Sequence, residues 1–236
     1  MNSYLNLVFH NIVNKDSEIS SKYAITVDFF AKLKYKVLNL IGKRGIFFKS
    51  VRFYFDDNYA SFYKFIFPLI KSEPIDYVIA VPTDFINRKG YMTADNLLEL
   101  SNNRIKIVPH GVSHAALCIY SGKELLKTES GGRYLNTPYG KEKALIEEEV
   151  AYQLNESRNQ LELCGIANKI DEFVLPYGLY NRQILKINRR RANYKYISTC
   201  NEYLDNGRLL RPRFLITNDR SIMEIIEKIK SLKLGN

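Results

Sequence analysis

Histidine and cysteine are both scarce in this chain of 236 residues, which carries three of each. The cysteines, Cys118, Cys164 and Cys200, are odd in number and lack the spacing of a zinc site, which argues against disulfides and fits a reducing compartment. Long apolar runs are missing too, so no membrane span is expected. Met1–His10 holds a short apolar stretch with no basic segment before it, which does not read as a secretory signal, and a cytoplasmic protein is expected. Dense charge of one sign is also wanting. The net charge is +10, yet lysine and arginine are scattered. The densest run, Arg189-Arg190-Arg191, follows the helical pattern Arg182–Ile187 and reads as a solvated helix end rather than a phosphate clamp. No nucleic-acid motif accompanies the charge, so no nucleic-acid partner is expected. Neither an internal repeat nor a second domain is visible. With 46% hydrophobic and 25% charged residues, residues 1–236 suit one domain with a single large core.

What is present is a rhythm of strand and helix. Short hydrophobic runs at Leu5–Phe9, Val51–Phe55, Tyr77–Val81, Ile105–Val108 and Phe173–Leu175, bounded by turn residues, predict buried strands. Further strands are expected near Lys195–Ser198 and Arg213–Ile216. Apolar spacing predicts helices from a Thr26 or Asp28 cap to Gly42, over Ser61–Ile70, over Thr93–Leu100, over Lys143–Leu163, and over Arg220–Leu232 behind an Asp219 cap. This alternation implies an α/β fold with parallel strands and helices outside. Residues 121–141 interrupt it as a long loop, readable equally as a substrate-binding segment or as an excursion without function.

Four of the first five strands end on residues that can do chemistry. His10 follows the first, Asp56-Asp57 the second, His110 the fourth and Pro176-Tyr177-Gly178 the fifth. Strand C-termini converging on one face are how a (β/α) barrel builds an active site. His110 and His114, with a carboxylate, are ligands that a divalent ion such as Zn²⁺ accepts, and three protein ligands leave one position open. For any one of these residues the plainer reading is a polar corner of the core, or, for Asp56-Asp57-Asn58, a turn; their shared placement at strand ends favours a site. His110-Gly-Val-Ser-His114 does not fit the helical His-Glu-x-x-His pattern, because position 111 is glycine and Pro109 favours extended entry. A base must therefore come from elsewhere. Successive strand residues point to opposite faces, so Asp56 and Asp57 can serve one site only past the strand end, where Asn58 tolerates a left-handed backbone. One carboxylate can then hold the ion while its neighbour acts as base.

Phe53-Tyr-Phe-Asp-Asp-Asn58 resembles the Thr-Phe-Asp-Asp-Gly motif of the polysaccharide deacetylases, the NodB-homology group of carbohydrate esterase family 4. His110–His114 resembles the family's His-x-x-x-His motif, and Phe173-Val-Leu-Pro-Tyr-Gly178 its Pro-Tyr-Gly segment. Order and spacing agree, and the resemblance spans nearly the whole chain, from Leu5 to Ile216. It implies a distorted (β/α)7 barrel and a metal-dependent N-deacetylase of N-acetylated sugars. By motif, Asp57, His110 and His114 would hold one divalent ion, zinc being favoured, and Asp56 would be the base. Pro176, Tyr177 and Gly178 would line the acetyl pocket, with the Tyr177 N–H on the oxyanion.

Four departures from the pattern matter. Asn58 stands for the usual glycine, and Gly111 for a serine or threonine whose hydroxyl would steady the loop. Val174 stands where many members carry an arginine that orients the base, a support that Arg211 or Arg213 can supply from the last strand. The C-terminal Leu-x-His motif, whose histidine protonates the leaving amine, is missing. Val8-Phe9-His10 resembles instead a circularly permuted subset, the biofilm poly-N-acetylglucosamine deacetylases, in which that histidine lies on the first strand, so His10 is the expected acid. The expected substrate is an N-acetylated sugar or glycan, with a cytoplasmic nucleotide- or lipid-linked precursor of a surface polysaccharide favoured. Two rivals stay open. One is a catalytically impaired sugar-binding relative. The other is a basic RNA- or membrane-surface protein, which rests on net charge alone.

Overall fold

The computed structural model describes residues 3–71, 73–117, 145–166 and 168–234. The loop expected over 121–141 lies outside the described residues. The strands are β1 (Tyr4–Phe9), β2 (Asn11–Val13), β3 (Ala24–Thr26), β4 (Ser50–Phe55), β5 (Asp76–Val81), β6 (Lys106–Pro109), β7 (Glu172–Val174), β8 (Tyr196–Ser198), β9 (Leu210–Arg211) and β10 (Phe214–Leu215). Five pair in the order β10-β1-β4-β5-β6 and three as β7-β8-β9, with β2-β3 a separate pair. Every pairing is parallel.

The strands β9 and β10 are halves of one strand bent at Pro212; the first half pairs with β8 and the second with β1. Seven strand positions result, the number expected, but no continuous ladder closes the ring among the described residues. Side chains span the gap between β6 and β7. The Asn168 amide accepts from Ile107 N–H at 3.1 Å and donates to its carbonyl at 3.0 Å, as a neighbouring strand would.

Alternate strand residues go to different places. Leu5, Leu7, Phe9, Phe53, Phe55, Ile79, Ile107 and Phe173 face outward into the main core, whereas Val8, Tyr54, Val78, Ala80, Val108 and Val174 form a second cluster on the inward face. Burial on both faces is why these strands read as unbroken apolar runs. The inward register also carries polar residues, among them Asn6, Arg52, Lys106, Glu172, Ser198 and Arg211.

Six α-helices occur among the described residues: α1 (Val27–Leu38), α2 (Phe67–Ile70), α3 (Ala94–Asn102), α4 (Glu147–Leu163), α5 (Arg182–Ile187) and α6 (Ile222–Lys230). The apolar stripe of α1 buries Phe30, Leu33 and Val37, each contributing roughly 1.5–3 kcal/mol. Thr26, not Asp28, caps it by accepting from Phe29 N–H, and it stops at Leu38 rather than Gly42. The helix expected over Ser61–Ile70 is a wide turn over Phe62–Ile66 followed by the short α2. Pro68 has no N–H for an intrahelical bond, so a regular helix cannot run through it. Thr93 and Asn96 form a reciprocal cap on α3. The last helix is capped by Ser221, paired reciprocally with Glu224, and not by Asp219, whose carboxylate accepts from the Thr217 hydroxyl.

Candidate metal centre and active site

The strand C-termini carry the site. β4 ends at Phe55, and Asp56 continues the ladder by donating its N–H to Phe9 O at 2.9 Å. The backbone then turns left-handed at Asp57 and Asn58, with φ of 70° and 60°. That turn places both aspartates on one side of the barrel mouth, and the short amide of Asn58 tolerates the conformation where a β-branched residue would not. Asn58 also donates to Met92 O at 3.3 Å.

His110 follows β6 and is buried. Its Nδ1 lies 2.9 Å from Val174 O. A carbonyl only accepts, so Nδ1 carries the proton and Nε2 of the neutral ring presents a lone pair. That Nε2 is 3.6 Å from Asp57 Oδ1, and His114 Nε2 is 3.2 Å from the same oxygen. One ligand atom from each of Asp57, His110 and His114 falls within a 4.8 Å cluster. Asp57 Oδ1 is buried and makes no hydrogen bond. Ligands about 2.0–2.2 Å from Zn²⁺ stand about 3.3–3.6 Å apart at the tetrahedral angle. The spacing and the unbonded oxygen therefore fit a small divalent cation.

Asp56 is engaged differently. Arg213 Nη1 donates to both of its oxygens, at 2.8 and 3.1 Å, while Arg213 Nε donates to Thr199 O at 3.1 Å. Of the two arginines expected behind the base, Arg213 reaches it. Arg211 does not: it lies against Glu172 and near Asp205. Val174, at the position where many family members carry an arginine, belongs to the inward apolar cluster. His10 stands beyond the end of β1, its ring 5.2 Å from that of Tyr23, with Nδ1 buried and unbonded. Burial, the largest influence, lowers its pKa, and the charges of Asp57 and Asp56 only partly oppose it.

The Pro176-Tyr177-Gly178 segment forms one tight turn with Tyr177 at φ 60° and ψ 2°. A Cβ on Gly178 would lie 2.4 Å from Cys200 N, so this turn packs against the segment after β8 only because the residue is glycine. The Tyr177 ring meets His114 edge-on at 4.7 Å.

Residues that sequence reasoning did not single out complete the surroundings. Gln153 of α4 accepts from Val112 N–H at 2.8 Å and Ser113 N–H at 3.3 Å and donates to the Ser113 hydroxyl at 3.2 Å. It steadies the histidine loop in place of a hydroxyl at Gly111. Glu172 lies deeper in the barrel. It accepts from Tyr54 at 2.8 Å, Ser198 at 2.6 Å, Lys106 at 3.1 Å and Arg211. Its place in the run Glu172-Phe-Val-Leu gave one signal, a charge where the strand should be apolar.

A family model described as polysaccharide deacetylase matches residues 48–197, more than half of the chain. The chain belongs to the polysaccharide deacetylase family. Asp56, Asp57, His110, His114 and the Pro-Tyr-Gly turn lie inside the matched span of this deacetylase domain, whereas His10, Arg211 and Arg213 lie outside it. No curated protein matches the sequence. The fold resembles a de-N-acetylase from Aggregatibacter actinomycetemcomitans (16% identity, 96% of this chain and 100% of that chain covered, TM-score 0.73). It also resembles the Streptococcus pyogenes deacetylase PplD in complex with acetate (19%, 96% and 98%, 0.69) and IcaB from Ammonifex degensii (17%, 98% and 98%, 0.69). Among the described residues no helix is long and apolar enough to cross a membrane, and Cys164 and Cys200 are free.

Proposed function

We propose that the protein hydrolyses the acetamide of an N-acetylated amino sugar in a glycan, using one divalent ion, zinc favoured, held by Asp57, His110 and His114. The observation that carries this reading is the convergence of two imidazole nitrogens on an unbonded carboxylate oxygen, beside a second carboxylate that is fully engaged by an arginine. A bound ion supplies Lewis acidity, polarising a carbonyl and lowering the pKa of water from ~15.7 toward ~7.

The chain's own groups do the rest. Asp56, oriented by Arg213, takes the proton of the attacking water. The Tyr177 N–H donates to the acetamide oxygen as charge develops there, a contribution of about 3 kcal/mol for a well-aimed donor. His10 passes a proton to the amine nitrogen so that it can leave. Burial lowers the pKa of the His10 ring, which makes a proton held there easier to give up to the amine. The position of His10 at the end of β1, between β10 and β4 in the sheet, supports its role as acid and the permuted arrangement. The acetate in the PplD structure is the product this reading requires. A surface-polysaccharide precursor is the substrate favoured.

The Arg213 contact with Asp56 weighs against a catalytically impaired relative, since the orienting arginine is present on another strand. The test is acetate release from β-1,4- and β-1,6-linked oligomers of N-acetylglucosamine. Release should require one equivalent of metal, stop on chelation and resume on reconstitution. A metal-loaded protein that binds these oligomers without releasing acetate would overturn the catalytic reading.

A further inference from the structure

A row of aromatic side chains follows the barrel rim on one side of the site. Tyr59 comes from the segment after β4, Phe85 and Tyr91 from the segment after β5, His114 from the one after β6 and Tyr177 from the one after β7. Their contacts are continuous. Tyr59 and Tyr91 stack at 5.4 Å with 20° between planes, Tyr91 meets Phe85 at 4.8 Å, Phe85 meets His114 at 6.3 Å, and His114 meets Tyr177 at 4.7 Å. An antiparallel backbone bridge between Tyr59 and Tyr91 fixes the far end. Each of the five is half-buried, so each keeps part of its surface at the mouth while its position is set by packing. The Arg88 guanidinium leans on Phe85 at 5.4 Å.

We infer that Tyr59, Phe85 and Tyr91 form a binding subsite for the pyranose rings next to the one whose acetamide lies at His114. One face of a pyranose presents C–H groups of slightly positive potential, and the face of an aromatic ring is negative, so the two stack without leaving a polar group unpaired. Tyrosine adds a hydroxyl at the ring edge, where sugar hydroxyls lie. An apolar partner alone would be served better by phenylalanine or leucine, and a phosphate would need converging cations, of which Arg88 is one. The row is also longer than one ring and leads directly from a metal-ligand candidate, so a bound chain lies along the rim from Tyr177 to Tyr59. This inference rests on the proposed deacetylase reading for the position of the reacting sugar.

The chain contains no tryptophan, which makes the test direct: Tyr91→Trp places a single indole in the row. Binding of the β-1,4- and β-1,6-linked pentamers of N-acetylglucosamine is measured by calorimetry for wild type, Tyr91→Ala, Phe85→Ala and Tyr91→Trp, with thermal melting and metal content as controls for folding. Each alanine variant should weaken binding of the preferred pentamer about tenfold and raise KM more than it lowers kcat, since about 1.4 kcal/mol of lost stacking corresponds to that factor. Tyr91→Trp should restore binding and show a saturable shift of indole emission. Folded alanine variants that bind like wild type, or a wild-type protein that binds neither pentamer, would overturn the subsite. Binding without acetate release would overturn the deacetylase reading and leave the subsite standing; acetate release with unchanged binding in both alanine variants would do the reverse.

Discussion

Two clusters of buried charge face into the same barrel, and they differ in how their carboxylates are treated. In the deeper one, both oxygens of Glu172 accept hydrogen bonds, from Tyr54, Ser198, Lys106 and Arg211. Asp205 likewise has the Gly207 N–H at 2.7 Å on one oxygen and Asn6 and Arg52 at 3.2 and 3.1 Å on the other. Arg211 Nε and Asn6 Oδ1 are left over there, but they are single atoms of residues bonded elsewhere. At the mouth, Asp57 Oδ1 and His10 Nδ1 are buried and unbonded, and Asp57, His114 and Tyr177 all hold left-handed backbone. Buried polar atoms are nearly always paired, and strained backbone gathers where function requires it. Burial of charge is common to both clusters. Incomplete pairing on strained backbone separates the candidate site from the scaffold.

The largest effects should come from the mouth. His110→Ala or His114→Ala should abolish stoichiometric metal, measured by elemental analysis, and reduce acetate release to background with the fold intact by circular dichroism. Asp56→Asn should keep the metal and lose turnover by about 10²–10⁴-fold, the range for a positioned base. Equal metal loss in Asp56→Asn and Asp57→Asn would erase the proposed division between them.

The deeper cluster should answer in stability. Glu172→Gln strands buried cations and should cost about 3–5 kcal/mol in denaturant unfolding, without removing the metal. Burial would raise the Glu172 carboxyl, but Arg211 and Lys106 outweigh it and hold it down to about 2 from an ordinary 4.5. A carboxyl depressed on folding contributes stability that is complete above 4.5 and is lost as pH falls toward about 2. Glu172→Gln should flatten that acid limb; an unchanged limb would remove Glu172 from the account.

Gln153→Ala sharpens the comparison at its edge. Freed from its α4 anchor, the histidine loop should bind metal about 10–100-fold more weakly, as for other groups that orient ligands. The smallest effect concerns His10 in metal-free protein. Its pKa is lowered on folding from 6.5, so the unfolded chain binds the proton more readily and stability should decline as pH falls below 6.5. His10→Ala should remove this shallow slope while leaving the deeper loss below 4.5 in place.

The positions of the main strands and the residues at their ends were largely legible in the sequence because runs such as Val51–Phe55 stop abruptly at charged or turn residues, whereas the short pair β2 and β3 was not. Helix limits were less so. A competing hydroxyl at Thr217 and the missing N–H of Pro68 decide matters that apolar spacing does not record. The arginine behind Asp56 could be narrowed only to Arg211 or Arg213, since one bend at Pro212 sets which of them points at the mouth and which at Glu172. Gln153 was invisible: a glutamine among the glutamates of a surface-like helix gives no hint that its amide reaches Val112 and Ser113, 41 and 40 residues earlier in sequence. The aromatic row was equally hidden, because its members come from four separate strand ends and become neighbours only when the sheet curves.

The central claim is that unpaired ligand atoms at the mouth mark a metal centre, and anomalous diffraction from crystals grown with zinc tests it most directly. One anomalous peak should lie within bonding distance, about 2.0–2.2 Å, of Asp57 Oδ1, His110 Nε2 and His114 Nε2, with His110 Nδ1 still on Val174 O. A mouth without a peak, in which Asp57 Oδ1 takes a hydrogen bond from a protonated His110 or His114, would contradict it.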